Sequence, residues 1–240
     1  DSKNGGQIYT FGERLYLFEK LGADFAFAAR FDEAFRATNG QEFLNRIARS
    51  LEVRAFVCGT DFTFGKGAAC GAEELRAFCS ERSVQAEILP LVRMHGEKAA
   101  ASLAKQYLAG GEVEKLAELL GDKYFIRGEV ATEGRHVGRT IGFPTANIHL
   151  SPEKYPLKTG VYAVTAEIGG KIYRGIANYG SRPTFGDGRT VLEVYADGYA
   201  GDLYGQTITV YFDEFIREIR KFGSAEELSG QLKKDLEKIR

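Results

Sequence analysis

GVYAVTAEIGGKIYRGIANYG, residues 160–180, decides how this chain folds. Tyr162, Val164, Ala166 and Ile168 recur at every second position between smaller or polar neighbours, the period of a strand with one face turned inward. Gly169-Gly170 stands where a two-residue hairpin turn needs positive φ, and KIYRGIANYG then runs back as a second strand. Around this hairpin lie YFIRGEV (124–130), TVLEVYAD (190–197) and QTITVYF (206–212), further strand candidates joined by glycine-rich connections rather than helices. Many short strands of this kind predict an antiparallel barrel or sandwich. A helix closes the chain: Ser224 and Glu227 have capping-box spacing, and Leu228, Leu232, Leu236 and Ile239 form one apolar stripe.

Upstream the pattern changes. ADFAFAARF (23–31), VRAFVCG (53–59) and VQAEILPLV (84–92) are apolar runs of strand length. Between them, Phe43, Ile47 and Leu51, then Leu75 and Phe78, recur at helical spacing. Strands alternating with crossover helices predict a parallel α/β sheet. Residues 98–121 read as two helices interrupted at Gly110-Gly111 and ended by Gly121. The expected organisation is therefore an α/β domain over 1–122 and an all-β domain over 123–240.

Composition bounds the function. Of 240 residues, 44% are hydrophobic and the formal net charge is −1, so no basic field points to nucleic acid or an anionic membrane. No apolar run reaches the about 18 residues of a membrane span. Cys58, Cys70 and Cys79 show neither disulfide nor zinc spacing, and His95, His136 and His149 are scattered, which together fit a reducing cytoplasm and favour oxygen-bound Mg²⁺ over a softer metal.

The segment with the most chemistry is GRTIGFPTANI, 138–148. Gly134, Gly138 and Gly142 recur every four residues, and glycine lets backbone N–H groups approach a phosphate closely. Pro144 stiffens the chain before Thr145 and Asn147, whose side chains share one face of an extended segment. Their oxygens suit Mg²⁺ beside nucleotide phosphates. A proline turn in which Thr and Asn bond their own backbone would use the same residues. Glu193, a carboxylate inside the otherwise apolar TVLEVYA, reads from the residues alone first as a solvated outer-face residue and second as a base, with Asp187 a weaker rival base.

GRTIGFPTAN followed by GVYAV (160–164), NYGSRPTF (178–185), Leu192-Glu193, DLYG (202–205) and FIREIRKF (215–222) resembles the riboflavin kinase family in order and spacing. The resemblance implies a six-stranded antiparallel barrel that transfers the γ-phosphate of ATP to the 5′-hydroxyl of riboflavin, giving FMN. It implies that Thr145 and Asn147 ligate Mg²⁺ and that Glu193 is the general base. Gly134, Gly138, Arg139, Gly142 and Pro144 would cover the nucleotide phosphates, and Arg217, Glu218 and Phe222 would shape the flavin pocket.

The first half resembles the FMN adenylyltransferase part of bifunctional bacterial riboflavin kinase/FAD synthetase, through YTFGERLYLFEKLGADF (9–25), CGTDFTFGKG (58–67) and YLAGGEVEKLAELLG (107–121). That family has a nucleotidyltransferase α/β fold, and Asp61, Phe62, Phe64 and Gly65 would line its nucleotide and flavin site. Two departures stand out. No histidine-glycine-histidine-type signature lies in residues 1–22, which implies that about one strand–helix unit is absent. The segment expected to carry hydroxyls and cations reads AAASLAK (99–105), with Ser102 and Lys105 its remaining hydroxyl and cation. The resulting expectation is an ATP- and Mg²⁺-dependent riboflavin kinase with lost or weak adenylylation. The alternatives are a full bifunctional enzyme whose N-terminus lies outside this sequence, and a flavin-binding regulator without turnover. A sheet missing its first strand would need its edge covered, through self-association or a partner chain.

Overall fold

The computed structural model describes residues 5–132, 145–181 and 190–239. The chain forms two compact units, one of residues 25–99 and one of the residues up to Asp24 together with those from Ala100 onward.

The smaller unit contains helices α2 (Glu33–Ala37), α3 (Gly40–Ser50) and α4 (Ala72–Ser80). Strands β1 (Ala55–Gly59) and β2 (Gln85–Leu89) pair in parallel across the α4 crossover, Val57 opposite Glu87. A short hairpin, β3 (Arg93–Met94) and β4 (Glu97–Lys98), follows. Phe56, Cys58, Ala86 and Ile88 pack inward against Leu44, Leu75, Phe78 and Cys79, while Val57 and Leu89 on the opposite face stay exposed. The α/β pattern thus holds, but the strand expected over 23–31 does not form. Those residues run without regular structure, and Phe25, Phe27 and Phe31 are 82%, 81% and 73% exposed. A period-two apolar pattern becomes a strand only where a ladder and a covering layer receive it. Among the described residues β1 pairs with β2 alone.

The larger unit holds α1 (Phe11–Lys20), α5 (Ala101–Gly110), α6 (Val113–Leu120), strands β5 (Phe125–Glu129), β6 (Ala146–His149), β7 (Gly160–Ile168), β8 (Lys171–Ser181), β9 (Thr190–Ala196) and β10 (Thr207–Arg217), and α7 (Ala225–Ile239). The six strands form one antiparallel sheet ordered β5-β10-β7-β8-β9-β6. A bridge from Val130 to Ile148 joins the two ends, so the barrel is nearly closed. The hairpin at Gly169-Gly170 sets Ile168 opposite Lys171, and the pairing continues to Gly160 opposite Tyr179.

This register puts Tyr162, Val164, Ala166, Ala177, Tyr179, Leu192, Val194, Val210 and Phe212 in the interior. Leu108, Val113 and Leu116 of the two helices before the barrel belong to the same core. Burying each such large side chain contributes about 1.5–3 kcal/mol. Gly111 and Gly121 end α5 and α6 in the left-handed conformation, as their positions in the sequence predict. At α7, Ser224 Oγ accepts from Glu227 N, but Glu227 reaches back to Gly223 N, one residue before the expected cap. The stripe on α7 covers the barrel's outer face, where Leu232, Leu236 and Ile239 pack with Val161, Ile176 and Tyr195.

A buried polar clasp holds α1 to the barrel. Glu13 accepts from Thr10 N (2.8 Å), from Arg127 N of β5 (3.0 Å) and from Lys154 Nζ (2.6 Å). Both charged side chains are at most 5% exposed. Burial pulls the Lys154 ammonium below the ordinary lysine range, and the Glu13 carboxylate opposes that pull. Tyr9 stacks obliquely on Phe125, ring centroids 4.8 Å apart.

Candidate active site

Strands β6, β8 and β9 build the site by register. Asn147 stands opposite Glu193, and Glu193 stands opposite Asn178. Paired residues in an antiparallel ladder project to the same face. Because Ala146, Ile148, Leu192 and Val194 point into the core, Asn147 and Glu193 project outward, with Asn178 exposed beside them. The same rung continues through Val161 of β7 to Arg217, the last residue of β10. Thr145, just before β6, donates its hydroxyl to Glu193 Oε1 at 2.7 Å. A hydroxyl, a carboxamide and a carboxylate therefore meet on one patch of the outer wall.

Such a trio is a hard-oxygen donor set. A hydroxyl that donates its proton to a carboxylate keeps its oxygen lone pairs as acceptors, and with an amide oxygen two residues on it fits a small divalent cation that also carries phosphate and water ligands. Among the described residues there is no cluster of three or more His, Cys, Asp or Glu side chains that could hold a metal, so a cation here would depend on neutral protein oxygens and on its substrate. A small cleft opens next to Thr145, lined by Val130, Ala196, Tyr199, Leu203 and Tyr204. The DLYG segment forms a turn there, with Tyr204 N donating to Asp202 Oδ1 and Gly205 N to the Val130 carbonyl.

Gly134, Gly138, Arg139, Gly142 and Pro144, and also Asp187, lie outside the described residues. Arg217, Glu218 and Phe222 come together at the end of β10. The Arg217 guanidinium lies 5.7 Å from the Phe222 ring centroid and that of Arg220 lies 4.7 Å from it, while Glu218 pairs with Lys158 at 2.9 Å. Two residues missed in the sequence belong to this neighbourhood. Asn178 joins Glu193 only through strand register, and Asp235 on α7 binds Arg217. The motif NYGSRPTF was a signal for the first; a lone aspartate in a charged helix offered none for the second.

In the smaller unit, Asp61, Phe62, Phe64 and Gly65 occupy the loop after β1. Lys98 Nζ donates to Asp61 Oδ2 at 2.8 Å, and that bond holds the carboxyl below the usual carboxylate range. Phe62 and Phe64 stack with centroids 5.4 Å apart. Gly65 has φ +78° and lies so close to Gly40 that a Cβ would come 2.6 Å from its nitrogen, which excludes any other residue. Ser102 and Lys105 sit on α5, in the other compact unit; Ser102 is exposed, and the Lys105 ammonium lies over the Tyr155 ring at 5.1 Å. The α5 N-cap is Ala100, which offers no side-chain acceptor.

A barrel of this topology, with an oxygen-rich patch on its wall and an α/β unit before it, matches two families of known proteins. The riboflavin kinase family model covers residues 120–240, and the FAD synthetase model covers residues 1–103. The bifunctional riboflavin kinase/FMN adenylyltransferase of Bacillus subtilis (strain 168) is 33% identical over 228 residues, 93% of this chain and 71% of that protein. Its counterpart from Escherichia coli (strain K12) is 35% identical over 225 residues, again 93% and 71%. A crystal structure described as a macrolide-efflux protein from Streptococcus pneumoniae superposes with a TM-score of 0.80 at 32% identity, covering 96% of this chain and 74% of that one. The chain belongs to the bifunctional riboflavin kinase/FMN adenylyltransferase family. It carries a riboflavin kinase domain and a nucleotidyltransferase-like FAD synthetase domain, and among its described residues no helix is long and apolar enough to cross a membrane.

Proposed function

We propose that the chain transfers the γ-phosphoryl group of ATP to the 5′-hydroxyl of riboflavin, giving FMN and ADP, and that this activity resides in residues 123–240 while residues 1–122 form the adenylyltransferase-like domain. A bond forms between the riboflavin 5′-oxygen and Pγ, the bond from Pγ to the β,γ-bridging oxygen breaks, and the hydroxyl proton passes to the Glu193 carboxylate. The observation that carries this reading is the pairing of Asn147 and Glu193 on one rung, with Thr145 just before β6 donating its hydroxyl to Glu193 at 2.7 Å. Phosphoryl transfer needs chiefly positioning and charge neutralisation, with one carboxylate to accept a proton. Thr145 and Asn147 would hold Mg²⁺, which when bound neutralises phosphate charge. Gly134, Gly138, Arg139, Gly142 and Pro144 would cover the phosphates, and Arg217, Glu218 and Phe222 would shape the flavin pocket.

Adenylylation by the first domain is weak in this proposal. Support comes from the alanines at 99–101 and the uncapped start of α5, which offer a phosphate no side-chain donor. The second reading, full bifunctionality, is favoured by the FAD synthetase match over residues 1–103. Chromatography separates them. Riboflavin with MgATP should yield FMN, and FMN with ATP should yield little or no FAD. Unchanged riboflavin would reject the kinase, and robust FAD formation would establish the second reading. The substrates are small molecules, the compartment is cytoplasmic, and the exposed Phe25, Phe27 and Val57 support coverage of the first domain by self-association or a partner chain.

A further inference from the structure

Asp235 is completely buried on the inner side of α7. Its Oδ2 accepts from Arg217 Nη2 at 2.8 Å and from Nε at 3.0 Å, and its Oδ1 accepts from the same Nε at 3.3 Å and from Gln231 Nε2 at 2.7 Å. The network closes on itself, because Gln231 Oε1 accepts from Arg220 Nη2 at 2.8 Å and both guanidiniums flank Phe222. Arg217 Nη1 also donates to the Glu218 carbonyl at 3.2 Å. One helical carboxylate thus fixes the end of β10 and the segment after it.

Helix docking does not require this arrangement. Leu232, Leu236 and Ile239 already seat α7 on Val161 and Ile176. A buried ion pair, moreover, adds little net stability over apolar residues of similar volume. What the bidentate pair supplies is direction: a fork of parallel N–H bonds holds a guanidinium in one plane. Arg217 lies on the rung that carries Glu193, so that plane is set relative to the reacting side of the barrel.

We infer that Asp235 is a positioning residue for the flavin side of the kinase site, acting through Arg217 and Phe222. The inference rests on the kinase reading above. Its test compares D235N, R217K and L236A with the wild-type chain. In D235N the fork is lost while shape is kept, and riboflavin KM should rise about tenfold with kcat within about twofold and ATP KM unchanged. R217K keeps the cation but loses the fork, so it should show the same split, and the double variant should be no worse than either single one. R217K also carries the test if D235N fails to fold. L236A loosens the same helix without touching Arg217; it should lower Tm and leave riboflavin KM alone. An unchanged riboflavin KM in D235N and R217K, or an equal rise in L236A, would overturn the inference. Titration of riboflavin fluorescence needs no turnover. If the wild-type chain binds riboflavin without making FMN and the D235N chain binds it about tenfold more weakly, the kinase reading fails and the positioning role stands.

Discussion

The two compact units treat their apolar residues differently. In the larger one the sheet turns back on itself, Tyr124, Tyr162 and Phe212 are completely buried, and every strand has a neighbour on both sides or is joined through the Val130–Ile148 bridge. In the smaller one a two-stranded sheet has one covered face, and Val57, Leu89, Phe25 and Phe27 remain at the surface. A closed ladder overdetermines where each outward side chain stands, so Thr145, Asn147, Glu193 and Arg217 inherit fixed positions. The loop carrying Asp61 and Phe62 hangs from two strands and inherits less.

The sharpest way to test this contrast is at Glu193. Glu193→Gln should keep riboflavin binding and lower FMN formation by roughly 10²–10⁴, the range for losing a general base. Unchanged turnover would remove Glu193 from the chemistry. Next in size is Phe212→Ala, which should cost about 3–5 kcal/mol in denaturant unfolding of the barrel. A loss under 1 kcal/mol would mean that the barrel core is less closely packed than its burial implies. Amide hydrogen exchange then compares the units directly. Amides of β1 and β2 should exchange about 10²-fold faster than those paired between β7 and β8, and equal protection would erase the contrast.

The smallest effect concerns Tyr124, whose buried hydroxyl has no hydrogen-bond partner among the described residues. Tyr124→Phe should stabilise the chain by up to about 1 kcal/mol at neutral pH, measured by thermal melting. Burial holds this phenol well above the ordinary tyrosine value of about 10, so the folded chain keeps the proton when the unfolded chain loses it. Stability is therefore unaffected below pH of about 10 and falls above it, by up to about 1.4 kcal/mol per pH unit for this group. The Phe variant should flatten that alkaline slope; an equally steep slope would put its origin at other groups.

Local pattern carried the barrel. The alternation at 162–168, the Gly-Gly turn and the glycines ending α5 and α6 all depend on neighbours close in sequence, and each appears where the pattern puts it. Glu193 was visible as a carboxylate in an apolar strand. Asn178 was visible as the first residue of NYGSRPTF, but its place opposite Glu193 was not, because the pairing of β8 with β9 depends on the connection between them rather than on either strand's composition. The failure at 23–31 has the opposite cause: the strand pattern is present, but no ladder partner for it lies among the described residues. Asp235 was illegible because a charged residue on an amphipathic helix reads as solvated until the guanidinium that buries with it is known. The clasp between Glu13 and Lys154 joins residues 141 apart and leaves no local trace.

The rung itself has a consequence for how the protein is made. Its members are residues 147, 161, 178, 193 and 217, drawn from five strands, and the last is locked by residue 235. A chain emerging from the ribosome in order would supply Thr145 and Asn147 first, then Glu193, and only afterwards the β10 and α7 residues that complete the other end. A nascent fragment that stops before α7 would therefore present the Glu193 end of the rung without the carboxylate that orients Arg217, and should bind riboflavin more weakly than the completed rung.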